Sequence, residues 1–303
     1  MPLSFAKLAD RAVIRLAGDE AIDFLGRLVT SEIPDMGAMT ASALLTPQGK
    51  VQFAFLMGRT EDGVLLDCDA GVAADLTKRL MLYRLRAKIA IDRLDLDVGV
   101  LFGDDASQDS FPDCTVMKDE RGTPQGIDLG WRVYLNAGAA SPDVTPATEA
   151  QWHQLRRSAG VAEQGADYTV NEVFPTDINL DQIGGVSYSK GCFVGQEVVS
   201  RMHHRGTERR RTVKVTSASP LPASGADLSA GGRTIGHVMG SAEGQGLALV
   251  RIDRLAAALT GGDEITSAAG PVTLHWPHFV GAPESFLPKT STPEAFTEEP
   301  QAQ

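Results

Sequence analysis

Cys192 stands in the stretch Lys190-Gly191-Cys192-Phe193-Val194-Gly195-Gln196-Glu197. A polar, glycine-containing run precedes it. His203, His204 and a dense set of arginines follow it. A thiol acts as a nucleophile or soft-metal ligand once ionised, and both a helix N-terminus and a nearby ammonium favour the thiolate. Phe193, Val194, Val198 and Val199 have helix-compatible spacing. Cys192 is therefore expected at or near a helix N-terminus, with Lys190 as its activator. Gln196 and Glu197 would shape the loop or orient the thiol. The competing reading is a small, inert residue packing the helix against a sheet.

The other two cysteines lack such surroundings. Cys68 lies in an apolar strand and reads as core; Cys114 lies in a loop segment without an evident partner. The three make no CxxC pair and cannot all pair within one chain, which fits a reducing compartment. They cannot build a closed four-cysteine metal site. No stable metal is expected, only a transient one on Cys192.

Arg201, Arg205, Arg209, Arg210 and Arg211 form the one positive cluster of a chain with net charge -11. It reads as a solvated face or as an anion site for a polyanionic cofactor tail or RNA. Little aromatic residue is interleaved, so base stacking is unsupported. The overall acidity argues against general attraction to nucleic acid or anionic membrane. Adjacent His203 and His204 point in different directions on a helix and read as surface residues.

These groups must be positioned by a mixed scaffold. The 303 residues, 43% hydrophobic and 22% charged, suit a soluble globular protein of one large domain or a few packed modules. "RAVIRLAG" reads as a strand, and Asp19 as the cap of a helix carrying Ile22, Leu25 and Leu28. "ASALLTPQGKVQFAFLM" reads as two strands around a Pro47–Lys50 turn. A helix covers "AGVAADLTKRLMLYRLR", and "EAQWHQLRRSAG" is a short helix ending at Gly160. There is no regular β-α-β repeat and no GxGxxG turn, which argues for α+β. From Arg211 onward, short strands between Gly- and Pro-containing turns suggest a small β-barrel. The Pro-, Thr- and Glu-rich segment 281–303 is expected to be disordered. The first residues resemble neither a secretory signal nor a transit peptide, and no apolar run is long enough to span a bilayer. A soluble, cytoplasmic protein is expected.

The segment Lys190 to Glu197 closely resembles the K-G-C-[FY]-x-G-Q-E signature of YgfZ-type folate-binding proteins, which include bacterial members and mitochondrial iron–sulfur assembly factors. "RLAGDEAIDFLGRLVTSEI" and "ALLTPQGKV" resemble the opening of the aminomethyltransferase superfamily that includes the glycine cleavage T-protein. The resemblance covers about residues 5–280. It implies a three-part, ring-like α+β fold with a C-terminal β-barrel. Residues 1–208 would form the folate-binding region in two subdomains and 209–280 the barrel.

The resemblance further implies tetrahydrofolate or a derivative as cofactor, with Trp152, Arg11 and Asn179 as contacts. Arg201, Arg205, Arg209 and Arg210 would meet its glutamate tail. It implies a monomeric accessory factor for assembly or repair of iron–sulfur clusters, partnered by a cluster carrier and client enzymes that include tRNA methylthiolating ones. Neither a stable nucleic-acid partner nor a membrane is expected. The alternatives are a folate-dependent aminomethyl transferase and an RNA-binding module. Against the transferase, the T-protein's G-G-x-x-D-D matches Gly49-Lys50-Val51-Gln52-Phe53-Ala54, so both acids are lost. The glutamate of its R-L-E-A-G matches Ser158. General-base chemistry then lacks an obvious agent.

Overall fold

The computed structural model describes residues 1–104, 106, 114–206, 208–242 and 244–286. The first half of the chain is a ten-stranded sheet. Its strands are β1 (Ser4–Lys7), β2 (Arg11–Ala17), β3 (Ala38–Leu45), β4 (Val51–Thr60), β5 (Gly63–Asp69), β6 (Ala90–Leu94), β7 (Leu96–Phe102), β8 (Thr115–Asp119), β9 (Trp131–Asn136) and β10 (Thr145–Pro146). They run in the order β10-β1-β7-β9-β8-β3-β4-β5-β2-β6. Among the described strands, only β1 with β10 and β3 with β8 pair in parallel.

Alternation along the strands explains why the sheet is buried on both faces. Ala41, Ala43 and Leu45 of β3 and Leu56 of β4 enter one core. Leu44 of β3 and Phe53, Phe55 and Met57 of β4 enter the other. This is the two-residue period of a strand carried through a sheet with apolar side chains above and below. The short helix α1 (Ala21–Gly26) and α2 (Ala73–Arg84) cover the second face. Helix α3 (Glu149–Ser158) packs against the first through Trp152. Helix α3 begins with a capping box formed by Thr148 and Gln151. Asp19, by contrast, is not the cap of α1: the helix is preceded by Glu20, and no side chain caps it.

Helix α4 (Gln196–Arg205) leads into a second, seven-stranded sheet. It comprises β11 (Arg210–Thr216), β12 (Asp227–Ala230), β13 (Arg233–Ala242), β14 (Gln245–Arg251), β15 (Ile265–Ser267), β16 (Gly270–Pro271) and β17 (Thr273–His275). The sheet wraps its own core of Val213, Val215, Val238, Val250 and Leu274. Helix α5 (Ile252–Gly261), which the strand-based expectation omitted, closes this core with Ile252, Leu255 and Ala258. Its apolar residues fall three to four apart, a helical period placed directly after a strand. Residues 281–286, expected to be disordered, are described: Pro283–Phe286 makes a 3-10 turn, and Phe286 lies edge-on to Trp276 at 5.7 Å. The remainder of the expected disordered tail, 287–303, lies outside the described residues. Among the described residues, no helix is long and apolar enough to cross a membrane.

Candidate functional site

The segment around Cys192 is built from three local demands. Phe193 is 7% exposed and plugs into the first core. Gly195 has φ 79°, and a Cβ there would lie 2.6 Å from the Thr46 carbonyl oxygen, so only glycine fits both the backbone and the space. Val198 and Val199 then press on Gly49 at the tip of the β3–β4 hairpin. Between these anchors, Gly191 and Cys192 are exposed. A Cβ on Gly191 would meet nothing within 4 Å. Helix α4 starts at Gln196 after Gly195, so Cys192 belongs to the preceding loop and not to the helix N-terminus expected for it. Phe193, read as part of the helix, turns inward before the helix begins.

Lys190 braces this loop. Its Nζ donates to the carbonyl oxygens of Val29 and Ser31, each at 2.7 Å, and lies 5.6 Å from the centre of the Phe193 ring. Burial lowers its ammonium to about 8, with Glu32 acting in the opposite direction. Ser187 adds a second strap: its N–H donates to Thr30 O and its hydroxyl to Glu32 Oε1. The Thr30 hydroxyl in turn donates to Gly185 O at 2.6 Å. Sequence reasoning missed Thr30 and Ser31, whose buried side chains carry no signal in a single chain. Among the described residues, no hydrogen bond reaches the Cys192 thiol. Lys190 therefore fastens the loop through backbone carbonyls, where an ion pair with the thiol was expected. Glu197 is exposed and pairs with Arg201 one turn on.

The arginine cluster does not form one free cationic patch. Arg210 pairs with Asp177 and Arg211 with Asp181, while Arg201 is held by Glu197. Arg205 and Arg209 are exposed. Charge pairs of the folded chain, invisible in the sequence run, consume most of the expected anion site. His203 stacks on Tyr188 at 3.9 Å.

Trp152 and Arg11 lie at the heart of the first module. Trp152 is wholly buried, with the Arg132 guanidinium 5.1 Å from its ring centre and Phe102 on another side. Its face is not available to a bound heterocycle. Arg11 donates to Asp67 Oδ1 at 2.6 Å and to Asp67 O at 2.7 Å. It belongs to a buried network in which Arg11, Arg121, Arg132 and Arg156 face Asp67, Asp119, Glu163 and Asp167. Burial pushes Glu163 upward, but Arg121, Arg156, Arg11 and Arg132 outweigh it and hold the carboxyl well below its usual range. Arg157 also pairs with Asp167, so five cations face four anions.

A cavity of about 30 Å³ borders this network, walled by Arg11, Arg121, Glu163, Gln164 and Tyr168. That is room for a water or two. A pterin does not fit there. At the positions that the sequence resemblance aligns with T-protein carboxylates, Phe53 is buried, the Ala54 N–H is taken by Gln164 Oε1, and the Ser158 hydroxyl donates to Leu155 O.

Among the described residues, the one group of three side chains spaced to hold a metal is Asp10, Glu149 and His153. Arg156 Nη2 lies 2.9 Å from His153 Nδ1 and can only donate. The neutral ring then carries its proton on Nε2, facing Asp10 and Glu149 at 3.7 and 3.9 Å. That is a proton-sharing arrangement, and burial together with Asp10 pushes Glu149 up to about 7. Cys192 belongs to no such group.

Fold and site together define an aminomethyltransferase-like scaffold that displays a braced, exposed thiol. The glycine cleavage aminomethyltransferase T of Bartonella henselae shares this fold with a TM-score of 0.74 and 19% identity, covering 92% of this chain and 86% of that one. Residues 209–282 match the CAF17 C-terminal beta-barrel domain. The mitochondrial iron–sulfur cluster assembly factor IBA57 of Homo sapiens is 30% identical over 281 residues, spanning 82% of this chain and 78% of that protein. Its counterpart in Mus musculus is 28% identical, spanning 89% and 85%. The chain belongs to the IBA57 family of iron–sulfur cluster assembly factors. The expected cytoplasmic location is overturned by these relatives, which are named as mitochondrial. Cysteine usage separates oxidising from reducing compartments and does not choose among the reducing ones.

Proposed function

We propose that this protein assists the assembly or repair of iron–sulfur clusters by offering Cys192 as one ligand of a cluster shared with a carrier protein. The observation that carries this reading is the thiol's setting: exposed, without a hydrogen-bond partner among the described residues, and on a loop anchored at both ends. Cys68 is buried and Cys114 half-buried. Iron–sulfur clusters are held by cysteine thiolates, and one exposed cysteine can supply only part of a ligand set. In the exchange, Cys192 gives up its proton, its sulfur replaces one carrier thiolate on iron, and the released thiolate takes up a proton.

Resemblance to the YgfZ-type signature supports enzymes with four-iron clusters as clients, including those that methylthiolate tRNA. Tetrahydrofolate is suggested by the resemblance of the Lys190 to Glu197 segment to the YgfZ-type folate-binding signature. The central residues expected to hold it do not fit a pterin, and no step is assigned to it. Phe53, Ala54 and Ser158, at the three positions the resemblance aligns with T-protein carboxylates, disfavour aminomethyl transfer, and the internally paired arginines disfavour an RNA grip.

The test is complementation of a host that lacks its own family member, comparing wild type with Cys192→Ala for tRNA methylthiolation at equal accumulation. Restoration by wild type alone supports the thiol ligand. Equal restoration by both removes Cys192 from the function. If neither restores it, the client assignment fails.

A further inference from the structure

Exposed apolar side chains gather at one place on this molecule. Among the described residues, eight large hydrophobic side chains are exposed, and four of them, Met81, Leu82, Leu85 and Val170, belong to the C-terminal end of α2 and the segment beside it. Leu82 and Val170 line one groove of about 410 Å³, which has Val72 and Phe53 in its apolar walls. Lys78 and Arg79 are its cations and Asp75 its one acid. Single apolar residues scattered on a surface need no explanation, whereas a cluster rimming a concavity marks an interaction site.

Leu85 adds to this. It ends α2 with φ 45° and is 87% exposed. Glycine takes a positive φ at a helix C-terminus without strain. A leucine there is held against the preference of its backbone and against water.

The charge is equally local. From Leu76 to Ile91 the chain carries Lys78, Arg79, Arg84, Arg86 and Lys88 and no acid. None of these five side chains has an ion pair among the described residues. Asp92, the next acid along the chain, is engaged by Arg15. The helix dipole accounts for Arg84 alone, the one base in the last turn, because its field fades beyond that turn. Unneutralised cations on a chain of net charge -11 call for carboxylates from outside.

The shape selects the kind of partner. Leu76 and Leu80, the other leucines of α2, are buried in the second core. No continuous apolar face is left to lie in a bilayer. The one aromatic residue of α2, Tyr83, is half-buried, so stacked bases lack a platform. A concave groove between Leu82 and Val170 suits an anchoring side chain from a protein.

We propose that the C-terminal end of α2 and its groove form a docking surface for an acidic protein segment. The segment inserts an apolar side chain between Leu82 and Val170 and sets carboxylates against Arg79, Arg84 and Arg86. This surface is separate from the Cys192 loop and does not rest on the cluster-sharing role.

Fluorescence anisotropy of the full-length protein with a fluorescein-labelled helical peptide, carrying leucines at i, i+3, i+4 and i+7 and glutamates between them, tests it. The peptide should bind with a Kd below about 1 mM. Leu82→Ala should weaken binding about tenfold or more, the scale of an interface anchor. Arg79→Glu combined with Arg84→Glu should weaken it about tenfold at low salt, a difference that closes as salt screens the charges. Leu259→Ala, at an exposed leucine of α5, should change nothing. Leu85→Gly should unfold at a urea concentration no lower than wild type and still bind more weakly, which a leucine with a purely structural role would not do. Absence of peptide binding at millimolar concentration overturns the proposal, as does binding that survives both Leu82→Ala and the double charge reversal. Binding of phosphatidylglycerol-containing vesicles or of polyuridylate in place of the peptide overturns it in favour of a membrane or nucleic-acid face. Dimerisation in gel filtration that Leu82→Ala abolishes, without peptide binding, overturns it in favour of a second copy of this chain.

Discussion

Lys190 Nζ donates to the carbonyl oxygen of Ser31 at 2.7 Å, across 159 positions of sequence. With the matching bond to Val29 O, it fixes the residue two before Cys192 to the connection between α1 and β3. The lysine of the signature thus works on the backbone. It holds open the loop on which the thiol is carried.

Replacing Lys190 by Met should leave two carbonyls without a donor and destabilise the protein by about 1–3 kcal/mol. The lysine's pH dependence has a defined sign. Its folded value, about 8, lies below the unfolded one near 10.4. Below pH 8 it is charged in both states; between the two values the unfolded chain holds more protons, so its contribution to stability rises with pH. Denaturation of wild type and Lys190→Met from pH 7 to 10 should show this rise only in wild type. A lysine Nζ titration midpoint above 10 by NMR would contradict it.

Gly195→Ala should cost at least about 2 kcal/mol, since it combines a left-handed backbone with a close approach to Thr46 O. Gly191→Ala, with open space around it, should stay within about 0.5 kcal/mol. Urea denaturation of the pair separates a packing glycine from one that only lends freedom to the loop.

Cys192→Ser should fold with wild-type stability to within about 0.5 kcal/mol, because the side chain is exposed and unpartnered among the described residues. Cluster-bridged complexes with a carrier, followed by visible absorbance and gel filtration, should be lost. A large loss of stability would mark the thiol as packing.

Glu163→Gln should cost about 3–5 kcal/mol by leaving Arg121 and Arg132 incompletely paired in a buried site. Its depressed carboxyl contributes stability that is present above the unfolded value near 4.3 and lost as pH falls through the folded one. The gap between wild type and variant should be constant above pH 5 and narrow only in stronger acid. A gap that shrinks between pH 7 and 5 would show that Glu163 is not held ionised.

The signature around Cys192 was legible because it is contiguous. Phe193, Gly195 and the valines of α4 each answer a steric demand that one stretch of chain records. The strand alternation in β3 and β4 was legible for the same reason. What escaped was non-local. Arg11, Arg132 and Arg156 look like ordinary charges in sequence, and only the fold collects them with Asp67, Asp119 and Glu163 into one buried network. Trp152 looked like a stacking platform until its neighbours covered it. The arginines after α4 looked like one patch until Asp177 and Asp181, some 30 residues earlier, claimed two of them. Asn179, expected as a folate contact, is buried and gives its amide N–H to Thr212 O.

The braces on the thiol loop reach from residues 185–190 to residues 29–32. A chain is made from its N-terminus, and segment 29–32 has to wait for the whole intervening sheet before its partner leaves the ribosome. A half-made or truncated chain therefore carries no positioned cysteine, even if its first strands have paired. Presentation of the thiol becomes a report that the first sheet is complete.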